Sequence, residues 1–123
     1  MGKEKVLIID DDIDLCEGIA EFLQDEGFDV VFTTDPFQGE DLIDREPFDV
    51  LLLDFKMTGL TGVDILKRIR SRNVNIKIIL VTGRPFIEKI LQEENMTGLV
   101  NGIVGKPFDP DMLIEKIRSL CVK

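Results

Sequence analysis

The six residues DVLLLD, Asp49–Asp54, decide how this chain folds. Four apolar side chains follow one another from Val50 to Leu53, and an aspartate closes the run. A half-exposed strand alternates apolar and polar residues, whereas a strand covered by helices on both faces is apolar at every position. The run is also too short for a buried helix. The same signature recurs on either side of it, in VLIID (Val6–Asp10), FDVVFT (Phe28–Thr33), KIILVT (Lys77–Thr82) and GIVGK (Gly102–Lys106).

Helical periodicity fills the intervals. Leu15, Ile19, Phe22 and Leu23 share one face, and Gly27 is placed to end that helix. Asp35-Pro36 reads as N-cap and first residue of a second helix reaching about Asp44. Val63, Leu66, Ile69 and Arg70 mark a third, and Phe86, Ile87, Ile90 and Leu91 a fourth. A fifth runs from Pro110 through Leu113, Ile117, Leu120 and Cys121. This alternation predicts one α/β domain over residues 1–123: a doubly wound, three-layer sandwich on a five-stranded parallel sheet of order 2-1-3-4-5. Its ligand crevice belongs at the carboxyl ends of the strands, where the first and third are neighbours.

Composition narrows the chemistry. Hydrophobic residues make up 44% and charged residues 32%, enough for both a core and a wet surface. Lys and Arg number 15 against 24 Asp and Glu, a formal charge of −9 that disfavours nucleic acid and anionic membrane as direct partners. The chain has no histidine, which excludes His-dependent triads, imidazole metal ligands and a phosphohistidine. Cys16 and Cys121 have no spacing suited to a zinc site and read as small apolar residues of a reducing compartment. The apolar run Val6–Ile9 meets three aspartates at once, so it is neither a signal segment nor a membrane span, and a cytoplasmic protein is expected.

The strand ends carry the functional signal. The first strand ends in Asp10 and Asp11, the third in Asp54, the fourth in Thr82 and the fifth in Lys106. Two like charges about 4 Å apart repel by about 4 kcal/mol at an effective dielectric near 20, so converging carboxylates call for a cation or for protons. Hard oxygen ligands with open positions favour Mg²⁺. Helix capping alone accounts for one or two of Asp10, Asp11 and Asp12, but not for Asp54 on another strand. Asp12 is therefore assigned to the cap or the surface. The chemistry suggests Asp54 as a nucleophile that takes a phosphoryl group as an acyl phosphate. Asp10, Asp11 and Asp54 would hold Mg²⁺, while the Lys106 ammonium and the Thr82 hydroxyl meet the phosphoryl oxygens.

Together these residues resemble the receiver domain of two-component response regulators, over essentially the whole chain from Val6 to Cys121. The carriers are IIDDD (Ile8–Asp12), LLLDFKMTGLTG (Leu51–Gly62), LVTG (Leu80–Gly83) and GKPF (Gly105–Phe108), strong when taken in order at these spacings. The resemblance implies a flavodoxin-like fold, Asp54 as phosphoacceptor and the backbone carbonyl of Lys56 as a further metal ligand. It implies a cis Lys106-Pro107 bond, with Lys106 and Thr82 as the phosphoryl-binding lysine and switch hydroxyl. It also implies a sensor histidine kinase or histidine phosphotransfer protein as donor. The helix 4, strand 5 and helix 5 surface would then meet a second copy or an output domain. No separate substrate would be turned over.

Departures from the family pattern accompany the match. Ile103 stands three positions before the lysine, where the family often has an aromatic residue, and Thr58 and Thr61 replace the family's proline and aspartate. The stretch Glu93–Asn101 is slightly extended, which predicts a divergent fourth helix. Lys56 and Arg84 lie two residues after Asp54 and Thr82, where long cations would shield a phosphoaspartate from water. Three other readings fit less well. A flavin-type phosphate site would not carry the loop DDDID, and a haloacid-type phosphohydrolase wants an acid two residues after the nucleophile, where Lys56 stands. A degenerate receiver that only binds partners would not need the acid trio, Thr82 and Lys106.

Overall fold

The computed structural model describes residues 3–54, 62–72, 75–83, 87–93 and 95–121. Strands and helices alternate along the chain. They are β1 (Lys5–Ile9), α1 (Ile13–Asp25), β2 (Asp29–Thr33), α2 (Pro36–Arg45), β3 (Val50–Asp54), α3 (Gly62–Arg72), β4 (Lys77–Thr82), α4 (Ile87–Glu93), β5 (Gly102–Gly105) and α5 (Pro110–Leu120). A 3₁₀ turn, Thr97–Leu99, precedes β5. All strand pairs are parallel, and the order is β2-β1-β3-β4-β5, as the alternation predicts.

Three helices begin on an aspartate. Asp12 accepts from the Leu15 N–H at 3.2 Å, Asp35 from Phe37 at 3.0 Å and Asp109 from Asp111 at 2.9 Å. Each such cap is worth about 1 kcal/mol. Asp12 thus takes the capping role expected of it, which leaves Asp10 and Asp11 for other work. Gly27 follows α1 with a φ of +95°, the left-handed conformation that ends a helix without a Cβ penalty.

Strand side chains divide by parity. Leu7, Ile9, Leu51, Leu53, Ile78 and Leu80 pack beneath α2, α3 and α4 through Ile43, Ile65, Leu66, Ile69, Ile87 and Leu91. Val6, Ile8, Val50, Leu52, Ile79 and Val81 meet α1 and α5 through Cys16, Ile19, Ala20, Leu23, Leu113, Ile114 and Ile117. Two apolar faces explain why the central runs are apolar without a break. On α2, Gly39 allows very close approach to the sheet, since a Cβ there would stand 2.3 Å from Ile9 Cδ1.

α4 is short, and the extended stretch after it holds a left-handed Asn95 (φ +57°) and the 3₁₀ turn. Arg70, placed with the apolar residues of α3 by its spacing, is a polar anchor instead. Its guanidinium donates to the Leu99 carbonyl at 2.9 and 3.1 Å, to the Ile76 carbonyl at 2.8 Å and to Asn101 Oδ1 at 3.1 Å. A half-buried guanidinium can fall at a core-facing position because its stem is apolar while its head reaches out to carbonyls.

Candidate functional site

Strand register builds the site. Ile9 pairs with Leu53, Asp54 with Val81 and Thr82 with Gly105, so the residues closing these strands meet at one edge of the sheet. Asp10, Asp54 and Thr82 are only 2%, 5% and 2% exposed, while Asp11 is open to solvent. One carboxylate oxygen from each of Asp10, Asp11 and Asp54 lies within 4.8 Å of the others. Lys106 reaches over them: its Nζ is 3.0 Å from Asp10 Oδ2 and 3.7 Å from Asp54 Oδ1. The Lys106 N–H donates to the Thr82 carbonyl at 2.8 Å, and the Lys106-Pro107 bond is cis.

Charge balance defines what the site lacks. Among the described residues, three carboxylates against one ammonium leave two formal negative charges in a largely buried place. Burial alone would lower the Lys106 ammonium, but the hydrogen bond it donates to Asp10 and the charges of Asp10, Asp54 and Asp11 outweigh it and hold it above its ordinary value. One lysine does not neutralise three acids. An all-oxygen donor set with excess negative charge among the described residues suits a hard divalent cation such as Mg²⁺.

Supporting contacts hold the acids in place. Asp10 Oδ1 accepts from the Asp12 N–H at 3.0 Å, and its backbone N–H donates to Thr33 at 3.3 Å. From α1, the Cys16 thiol donates to the Asp10 carbonyl at 3.4 Å. Burial, then the charges of Asp10 and Asp12, push that thiol up to about 12, so Cys16 stays neutral. Spacing alone did not show this contact, because it depends on α1 lying against the end of β1. Ile103 is half-buried and packs against the core on the α4 side of the sheet. Lys56, Thr58, Thr61, Arg84 and Phe86 lie outside the described residues, as do the side chains of Val63 and Ile90.

The chain matches the model of the response regulator receiver domain over residues 6–118. The chain belongs to that family. Sporulation initiation phosphotransferase F of Bacillus subtilis is 30% identical over 97% of this chain and 94% of its own length. The crystal structure of a CheY-like receiver domain protein from Methanospirillum hungatei superposes with a TM-score of 0.87 at 27% identity, covering 96% of this chain and 93% of that one. TrrA of Thermotoga maritima, solved in complex with Mg²⁺ and BeF, superposes with a TM-score of 0.83 at 26% identity, over 95% and 98% of the two chains. The acidic pocket of this receiver fits the family's phosphorylation site, and the chain is a receiver domain of two-component response regulators. Among the described residues, no helix is long and apolar enough to cross a membrane.

Proposed function

We propose that Asp54 is the phosphoacceptor of this receiver and that residues 1–123 act as one phosphorylation-controlled unit. The observation that carries the reading is the buried Asp54 beside Asp10, Asp11 and Lys106. An Asp54 carboxylate oxygen attacks the phosphorus of a phosphohistidine on a sensor kinase or phosphotransfer protein. The new P–O bond forms as the P–N bond breaks, and the departing imidazole nitrogen takes a proton from solvent. Lys106 Nζ, already 3.7 Å from Asp54 Oδ1, donates to one phosphoryl oxygen, and Thr82 binds another. Asp10, Asp11 and Asp54, with the Lys56 carbonyl, would hold Mg²⁺, which when bound neutralises the oxygens of the transferring group. The domain turns over no separate substrate, and a cytoplasmic place suits its thiols.

The donor's docking place is a groove of about 510 Å³ between α1 and the start of α5. Leu15, Phe22, Phe108 and Leu113 line it, and Lys106 and Asp12 bring it to the acid site. A Cβ on Gly18 would meet nothing within 4 Å, so this groove-lining position is open to a partner's apolar helix. After transfer, the phosphoryl group shifts the surface of α4, β5 and α5 toward a second conformation that meets a second copy or an output domain. Long cations at Lys56 and Arg84 would prolong the phosphoaspartate.

Intact mass after incubation with Mg²⁺ and a small phosphodonor tests the reading. One phosphoryl adduct on the wild type and none on Asp54→Ala is expected. An equal adduct on both proteins would remove Asp54 from the role, and no adduct together with no Mg²⁺ binding would leave a partner-binding module.

A further inference from the structure

β5 is the least self-sufficient strand of the sheet. It is a four-residue edge strand, Gly102–Gly105, with a glycine at each end, and none of its residues is fully buried. A strand with so little buried side chain specifies its own register weakly, and a slip of one residue turns every side chain to the other face. Lys106 follows this strand directly, so the position of its ammonium over Asp10 and Asp54 depends on where β5 sits against β4.

The structure pins β5 from its amino end. Asn101 N–H donates to the Ile78 carbonyl at 2.8 Å, and Asn101 Oδ1 accepts from the Ile78 N–H at 2.8 Å. The side chain thus continues the ladder where the strand's backbone stops. Arg70 donates to the same Oδ1 and to the Leu99 carbonyl, tying this corner to α3. At the other end, the matching bond runs from the Lys106 N–H to the Thr82 carbonyl.

We infer that Asn101, held by Arg70, is a positioning residue for phosphoryl transfer: it fixes the register of β5 on β4 and thereby places Lys106 over the acid site from the opposite end of the sheet. The inference rests on the phosphoacceptor reading above for its catalytic consequence, though not for its structural one. Asn101 is exposed and belongs to neither apolar cluster, so its replacement removes no core side chain, and what Asn101→Ala takes away is the acceptor for the Ile78 N–H and for Arg70. Asp10 and Asp11 follow β1 and Asp54 closes β3, two strands that the pin does not touch.

Two readouts on the full chain test it, in Asn101→Ala and in the conservative Asn101→Asp, which keeps the acceptor oxygen. The first is hydrogen exchange at the Lys106 amide. Asn101→Ala should accelerate it about tenfold, the order expected when two hydrogen bonds go, and Asn101→Asp should restore it. The second is the rate of phosphorylation by a small donor set against Mg²⁺ affinity. The rate should fall about tenfold in Asn101→Ala with affinity unchanged, because only Lys106 has moved. Unaltered Lys106 exchange in Asn101→Ala overturns the inference, as does a loss of Mg²⁺ affinity that matches the loss of rate. Exchange that behaves as expected in a protein that binds Mg²⁺ but is never phosphorylated keeps the pin and sinks the phosphoacceptor reading instead.

Discussion

Two buried acidic sites of this receiver differ in their balance of charge. On α2, the single carboxylate of Glu40 meets two guanidiniums from α3 through the same oxygen, Arg72 at 3.1 Å and Arg68 at 3.2 Å. At the carboxyl edge of the sheet, three carboxylates share one ammonium among the described residues. Burial is similar, at 5% exposure for both Glu40 and Asp54, so burial does not distinguish them. The count of countercharges does. Arg72 also meets Asp44 at 3.2 Å, so two guanidiniums balance two carboxylates and tie two helices together, and the hydrogen bond to Glu40 is the main cause holding Arg72 above its ordinary value. Among the described residues the aspartates carry more negative charge than Lys106 offsets, and that excess suits a divalent cation, which would in turn favour the anionic phosphoryl group.

That contrast separates residues that hold the fold from residues that work at its expense. Asp11→Ala should weaken Mg²⁺ binding by about a hundredfold, the upper range for disturbing a metal site, whereas Glu40→Gln should leave it unchanged. Calorimetric titration of both variants checks this, and equal losses would erase the distinction. Glu40→Gln should instead destabilise the protein by about 1–3 kcal/mol in urea unfolding, at the lower end because both arginines are partly exposed. An unchanged midpoint would mean that the α2–α3 tether carries no stability. The smallest effect belongs to Gly18, an interior helix position facing open space. Gly18→Ala should stabilise the fold by about 0.5–1 kcal/mol, since no packing opposes the added methyl. Destabilisation there would show that the fold itself needs this glycine.

Much of the architecture was legible in the sequence because parallel strands buried on both faces leave uninterrupted apolar runs such as Val50–Leu53. The polar residues that stop those runs marked the acid site, since all five strands point the same way and their ends share one edge. What stayed hidden depends on contacts between elements distant in sequence. Arg70 fell in with the apolar residues of α3 because periodicity records a position and not the carbonyls at 76 and 99 that the side chain reaches. Asn101 only bounded the extended stretch Glu93–Asn101 in the sequence, and only β4 beside it reveals a ladder partner. Glu40 gave no signal in the sequence, because its arginines lie 28 and 32 residues away on another helix.

The central claim is that the aspartate cluster opposes the fold whereas Glu40 supports it, and deleting one charge at each site measures this directly. Urea unfolding of wild type, Asp54→Asn and Glu40→Gln would be compared in chelator at low salt. Relief of carboxylate repulsion should make Asp54→Asn more stable than wild type by about 1 kcal/mol, while Glu40→Gln is less stable. An Asp54→Asn protein that unfolds at or below the wild-type midpoint would contradict the account, because the cluster would then be compensated within the chain and would have no deficit for a cation to fill.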